Sequence, residues 1–323
     1  MRYAAFLVLL PLVACSSTTS QEQRHLAAYQ HNAKLYFENR KLDQAMQMVE
    51  RGLEIESDNY QLRALRGALL LELSVQRDKT DHKLLREALT QFEQLEDERS
   101  MARHEPYFVF YSALALQRDG MRHVGEAARL RSPAAASGDA DAIRAQADAE
   151  DEAANAALAE ARSRLEVLLD RGEMARFCHY HLMQIAATGQ QADGVVEHGK
   201  NYLEVAKKDL ERIEKEIQLA KQKGWENELM ANRERLRGEE LRTRSFLADF
   251  HNDRKQFAAA RAHLDEILKL DPTRSADYYN RGAVLRELKE IEAAKADFRR
   301  FLATSPLPAD SPKKTDAVQA LGQ

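Results

Sequence analysis

The chain has 323 residues, with 48 Lys and Arg against 52 Asp and Glu and a formal net charge of −4. So balanced a charge offers no electrostatic footprint for nucleic acid or an anionic membrane surface, and two cysteines cannot build a disulfide framework. Glycine is sparse at 13 residues and proline sparser at 7, no alternating Val-Ile-Thr stretch is sustained, and long runs of Ala, Leu, Glu, Arg, Lys and Gln predict an all-α chain.

The first element is a leader. Arg2 precedes the apolar run Ala4 to Val13, which has the length of a signal-peptide core and falls well short of the roughly 20 residues a membrane span needs. Cutting after Ala14 would put Leu12 third from last, too large for ordinary secretory cleavage. Leu12-Val13-Ala14-Cys15 instead resembles the bacterial lipobox. By that resemblance residues 1–14 are removed, Cys15 carries lipid, and Ser16 directs the protein to the outer membrane, facing the periplasm. Residues 15–22 then read as a flexible tether. More than one acyl chain makes such an anchor durable.

Residues 23–98 read as helix pairs, with small residues at Ala33 and Ala45 around Tyr36, then at Gly67 and Ala88 with Phe92 four later. The polar stretch 74–83 is a lengthened inter-helix turn. Residues 99–202 are degenerate: Pro106 to Leu116 reads as a first helix, and 173–202 as a pair broken at Gly189. Pro, Ser and Gly before an Ala- and acid-rich run predict an inserted mobile loop over about 132–150. Leu203, Ala206, Leu210, Ile213, Ile217 and Ala220 recur at spacings of three and four, a heptad seam that predicts an extended antiparallel hairpin over 203–241, interrupted at Gly224.

Residues 242–306 carry the clearest repeat. Shifting 244–272 by 34 positions onto 278–306 aligns Pro272 with Pro306, Ala260 with Ala294, Leu264 with Phe298, Ile267 with Phe301 and Ala248 with Gly282. Small residues at such positions let two helix backbones cross closely, Phe298 and Phe301 share one helical face, and Pro306 stops the helix. This pattern resembles the tetratricopeptide repeat. The resemblance implies stacked helix pairs whose first helices line a protein-binding groove. Carried onto this chain, the groove positions are Gln30, Lys34 and Phe37, then Arg242, Asp249, Asn252 and Asp253, then Tyr279 and Arg286. Residues 307–323 read as a disordered tail.

Signatures of enzymes are missing: the chain has no G-x-S-x-G, H-E-x-x-H, C-x-x-C or phosphate-binding glycine loop. Cys178 and His181, three apart on a helix, could share a metal, but two ligands make a poor site, and core packing is the preferred reading. No cofactor, metal or nucleic acid is expected. The expected function is a lipid-anchored, non-catalytic envelope scaffold that binds other envelope proteins or peptides in outer-membrane, secretion or pilus assembly. A self-assembling structural lipoprotein is the first alternative, and a metal protein or enzyme the second.

Overall fold

The computed structural model describes residues 20–75, 81–98, 104–132, 139–221 and 226–322. The expected leader, Cys15 and the start of the tether lie outside those residues, as does Gly224. Among the described residues every regular element is an α-helix, as the composition predicts. None of these helices is long and apolar enough to cross a membrane. The chain divides into two compact units, one ending at Gln190 and the other beginning at Gln191.

The N-terminal unit comprises α1 (Ser20–Glu38), α2 (Leu42–Ile55), α3 (Tyr60–Leu73), α4 (His82–Glu98), α5 (Pro106–Leu130), α6 (Ala140–Asp170) and α7 (Ala175–Thr188). α1 pairs with α2, α3 with α4 and α5 with α6, and each second helix also packs on the next first helix. α1 further touches α3, α3 touches α5, and α5 touches α7, so the first helices form one continuous layer. The reason is local. A Cβ on Gly67 would come within 2.9 Å of the Phe92 ring, so glycine there lets that ring approach the α3 backbone closely. Phe92 then meets Phe108 edge-on, with ring centroids 5.5 Å apart, and carries the core from the second pair into the third.

The C-terminal unit comprises α8 (Ala192–Lys221), α9 (Glu226–Asp253), α10 (Phe257–Leu270), α11 (Ser275–Glu287), α12 (Ile291–Thr304) and α13 (Pro312–Gly322), each packed on the next. Ala206, Ile213, Ile217 and Ala220 of α8 are buried, as are Leu236, Thr243 and Leu247 of α9. In the following pairs Phe298 and Phe301 are each 1 % exposed, and a Cβ on Gly282 would approach Phe298 to 2.9 Å. Arg281 ties three helices: it donates to both oxygens of Asp297 at 2.7 and 2.8 Å and to Asp265 at 2.9 Å. Those hydrogen bonds raise its pKa further, so the clamp stays charged.

The turn inside the pairs is a shared device that sequence reading misses. Arg40, Lys255 and Lys289 all adopt left-handed backbone, with φ of 59°, 59° and 64°. Each closes the same two bonds, for example Lys255 N–H to Asn252 O at 2.9 Å and Gln256 N–H to His251 O at 2.8 Å. Glycine usually fills that position; here basic side chains do, at a cost of about 1 kcal/mol apiece. Gly189, read as the break in the 173–202 pair, has an ordinary φ of −80°, and the left-handed residue is Gln190.

Three expectations need correction. Residues 140–150 belong to α6 rather than to a mobile loop; 133–138 lie outside the described residues. Asp139 caps α6 by accepting from Asp141 N–H at 3.0 Å. Ala147, Ala154 and Ala161 are buried on α6 and Ala113, Gly120 and Ala127 on α5, both series repeating every seven residues, with Gly120 against Ala154. Large apolar residues are scarce there because two backbones pack closely, not because the segment is loose. The tail 307–323 is likewise not wholly irregular, since α13 buries Ala317 and Ala320 in the Phe298–Phe301 cluster. Finally, the helix begins at Ser20, inside the expected 15–22 tether.

The alanine seam is open to a direct test. A Cβ on Gly120 would sit 2.7 Å from Leu158 Cγ and 3.2 Å from the Ala154 carbonyl oxygen. Gly120→Val should therefore cost about 1–3 kcal/mol, read as a lower urea midpoint at unchanged slope. An unchanged midpoint would mean that the two helices are not in close contact there.

Candidate functional site

The first-helix layer of the N-terminal unit carries a connected strip of rings. Phe37 on α1 meets Tyr107 and Tyr111 on α5 edge-on, at centroid distances of 6.3 and 5.8 Å. Tyr107 and Tyr111 lie 4.6 Å apart. Phe110 links Tyr111 at 5.5 Å to Phe177 at 6.0 Å and to His181 at 5.7 Å on α7, and Tyr180 adjoins His181 at 5.3 Å. The sequence places these residues by helical period. Tyr107, Tyr111, Leu114 and Arg118 are spaced four, three and four along α5 and so share one face. Phe37 and Phe110 are buried, whereas Tyr107, Tyr111, Phe177 and Tyr180 are half-buried.

Polar groups are threaded through this strip. Arg118 donates to the Leu71 carbonyl oxygen at 2.5 Å and lies 3.8 Å from Glu72, which Arg40 holds from the other side at 2.8 Å. Burial lowers the Arg118 pKa, and the Glu72 carboxylate opposes that shift. Burial raises the phenol pKa of both tyrosines, which hydrogen-bond each other, so they stay neutral donors and acceptors. His181 Nδ1 lies 2.8 Å from Gln117 Oε1, and Gln117 Nε2 donates to Gln184 Oε1 at 3.1 Å. The accepting amide oxygen puts the imidazole proton on Nδ1. Burial, aided by Arg118, lowers the His181 pKa to about 3, so the ring is neutral near pH 7. The face offers aromatic edges and neutral hydrogen-bonding groups around one compensated ion pair. That suits an apolar or aromatic peptide segment better than a strongly charged one.

The sequence-derived positions fall in both units. On α1, Gln30 donates to Asn59 Oδ1 at 3.1 Å, Lys34 is exposed, and Phe37 is only 8 % exposed. Phe37 therefore supports the tyrosines from beneath. In the C-terminal unit, Arg242, Asn252 and Asp253 are exposed on α9. Asp249 is raised in pKa by partial burial and by the carboxylates of Asp253 and Asp277, with Lys313 of α13 acting against them. Tyr279 and Arg286 converge on one α13 side chain: the Tyr279 hydroxyl donates to Asp316 Oδ2 at 3.0 Å, and Arg286 bonds Asp316 Oδ1 at 3.1 Å. Arg286 also lies over the Phe298 ring, 5.7 Å from its centroid. Helix α13 thus engages two expected groove residues.

Tyr107, Tyr111, Arg118 and Tyr180 escape the sequence reading. The signal was available: once Pro106 opens a first helix, its groove face follows by period. The stretch around Cys178 and His181 matters for its rings. Cys178 is fully buried, its Sγ 3.9 Å from the Glu173 carbonyl oxygen, and burial lifts the thiol pKa to about 12. Among the described residues no three His, Cys, Asp or Glu side chains are placed to share a metal ion.

The tetratricopeptide repeat family matches residues 278–306, spanning most of α11 and all of α12. No curated protein matches the chain in sequence. Among solved structures it is similar to a tetratricopeptide repeat protein from Parabacteroides merdae, with 14 % identity over 93 % of this chain and 100 % of that one, at a TM-score of 0.36. It is also similar to yeast Tom70, with 11 % identity over 93 % and 96 % of the two chains, at a TM-score of 0.19. The repeat is in general a protein-interaction scaffold, and the paired helices here have that form.

Two buried imidazoles set a pH dependence. His263 stacks on His251 with centroids 5.5 Å apart, and burial with the His251 and Arg244 charges lowers its pKa to about 4. His181 and His263 both titrate below the ordinary 6.5, so the unfolded chain takes protons first as pH falls. Their stabilising contribution is complete above pH 6.5 and is lost as pH falls from there toward about 4. Urea midpoints should hold level above about pH 7 and decline between 6.5 and 5, where carboxylates contribute little. His181→Gln and His263→Asn should flatten that decline, and a wild-type curve already flat there would contradict the assignment.

Proposed function

We propose that the chain is a lipid-tethered, non-catalytic adaptor of the bacterial envelope. It holds partner proteins on the first-helix faces of its units, close to the outer membrane. The observation that carries the binding reading is the aromatic strip from Phe37 to Tyr180, whose half-buried rings Tyr107, Tyr111, Phe177 and Tyr180 lie on α5 and α7 of the first-helix layer. Aromatic rings supply large contact area with little side-chain entropy to lose. Helix pairs packed on their neighbours hold that strip rigid, so a partner meets a preorganised surface. The membrane part of the proposal rests on Leu12-Val13-Ala14-Cys15. Lipid on Cys15 would confine the adaptor to a surface and raise its effective concentration for partners held there. Outer-membrane protein insertion and the assembly of secretion or pilus machinery are processes that use such a device.

Photo-crosslinking residues placed at Arg40 and Arg242, both exposed, should capture the same partners repeatedly in native cells. Tyr107→Leu with Tyr111→Leu should cut capture from Arg40 by about tenfold at unchanged helicity, the equivalent of roughly 1.4 kcal/mol. Equal capture by this variant would remove the strip from the binding role. Separately, Cys15→Ala should accumulate unprocessed precursor or soluble periplasmic protein. Normal processing and outer-membrane fractionation of that variant would refute the lipid anchor.

A further inference from the structure

We propose that the N-terminal unit has a second docking cleft, away from the aromatic strip, that takes a basic amphipathic segment of a partner protein. Lysine or arginine side chains of that segment would meet the rim and an aliphatic side chain the floor. The cleft, of about 540 Å³, lies between the last turns of α4, the start of α5 and the C-terminal half of α6. Phe108, Val109 and Val167 give its apolar lining; Phe108 and Val109 are buried, and Val167 is 37 % exposed although it is a large apolar residue. On α5, Val109 lies roughly opposite Tyr107 and Tyr111 by helical period, so this cleft and the aromatic strip occupy different faces. One unit could therefore hold two segments at once.

Charge decides the occupant. Four carboxylates line the cleft, Glu93, Glu96, Asp97 and Glu160, against one cation, Arg164. Arg164 is already committed: it bonds Glu96 and Glu160 at 2.9 Å each and donates to Ser112 Oγ at 2.8 Å. Glu93 and Asp97 are exposed and make no ion pair among the described residues. Their placement is unfavourable for the helix that bears them. They stand four residues apart in the last two turns of α4, where like charges repel and the helix dipole also disfavours negative charge, and the last turn holds no basic residue. Folding alone would favour lysine there. Negative charge unpaired among the described residues, beside the exposed Val167, is what a cation-bearing apolar segment complements. Arg164, pinned by three partners, fixes one wall of the cleft in advance. Polyphosphate backbones and anionic lipid surfaces are repelled by the same rim, which leaves a protein segment as the occupant.

The probe is a fluorescently labelled amphipathic peptide of lysine and leucine, titrated at low salt into the full chain carrying Cys15→Ala. Glu93→Gln with Asp97→Gln should weaken binding by about tenfold and flatten its salt dependence, and Val167→Ser should weaken it severalfold. Both changes lie on exposed positions, and circular dichroism confirms the fold. Glu152→Gln with Glu287→Gln, exposed carboxylates remote from the cleft lining, should stay within about twofold of the parent. Tyr107→Leu with Tyr111→Leu should also leave this binding intact, which separates it from the adaptor reading above. No binding by the parent, equal loss in the control pair, no loss in Glu93→Gln with Asp97→Gln, or equal binding of a glutamate–leucine peptide would each overturn the proposal.

Discussion

The fold depends on how closely two helix backbones can approach where a small residue faces a large one. Gly67 against Phe92 and Gly282 against Phe298 repeat one arrangement in the two units, with a ring so close to the preceding helix that an added Cβ would force it to shift. Gly120 against Leu158, flanked by alanines, extends the same principle along a much longer hairpin. Close crossing removes the apolar surface of both helices from water and packs it at interior density. It also sets the spacing at which first helices lie beside one another. The aromatic strip is a consequence: Phe37, Tyr107, Tyr111 and Phe177 are joined in space because α1, α5 and α7 are held in one layer.

Charged residues divide by what surrounds them. Some close the structure. Arg281 gathers Asp265 and Asp297, Arg118 and Arg40 share Glu72, and Arg164 joins Glu96, Glu160 and Ser112. Removing one partner from such a set strands a partly desolvated charge, so these are constraints on the fold more than independent sources of stability. Others face solvent. Asp249 and Asp253 in the C-terminal unit, and Glu93 and Asp97 in the N-terminal one, are exposed carboxylates close to others of their sign. The same residue types serve both purposes, and only their neighbours distinguish them.

The two faces of the N-terminal unit have different chemistries. On the first-helix side a neutral, aromatic surface carries tyrosine hydroxyls and a compensated Arg118. On another face four carboxylates line a cleft with the exposed Val167. Rigid pairing presents both surfaces without rearrangement. In the C-terminal unit α13 shields the apolar end of the last pair and draws Tyr279 and Arg286 onto Asp316.

Composition alone determined the all-α class, because good helix formers dominate and turn formers are scarce. The 34-residue register determined the last two pairs, since Gly282, Ala294, Phe298 and Pro306 are local requirements of a close crossing and a helix stop. What the sequence could not decide depends on neighbours distant along the chain. The Ala-rich stretch looks loose until α5 lies against it, because small residues signal either weak packing or very tight packing. Residues 312–322 lack a strong apolar stripe and become a helix by covering Phe298 and Phe301. The left-handed turns carry Arg40, Lys255 and Lys289 rather than glycine, so the packed pair, and not local preference, imposes their backbone. The strip from Phe37 to Tyr180 spans 144 positions of chain, and only the stacking of first helices brings its rings together.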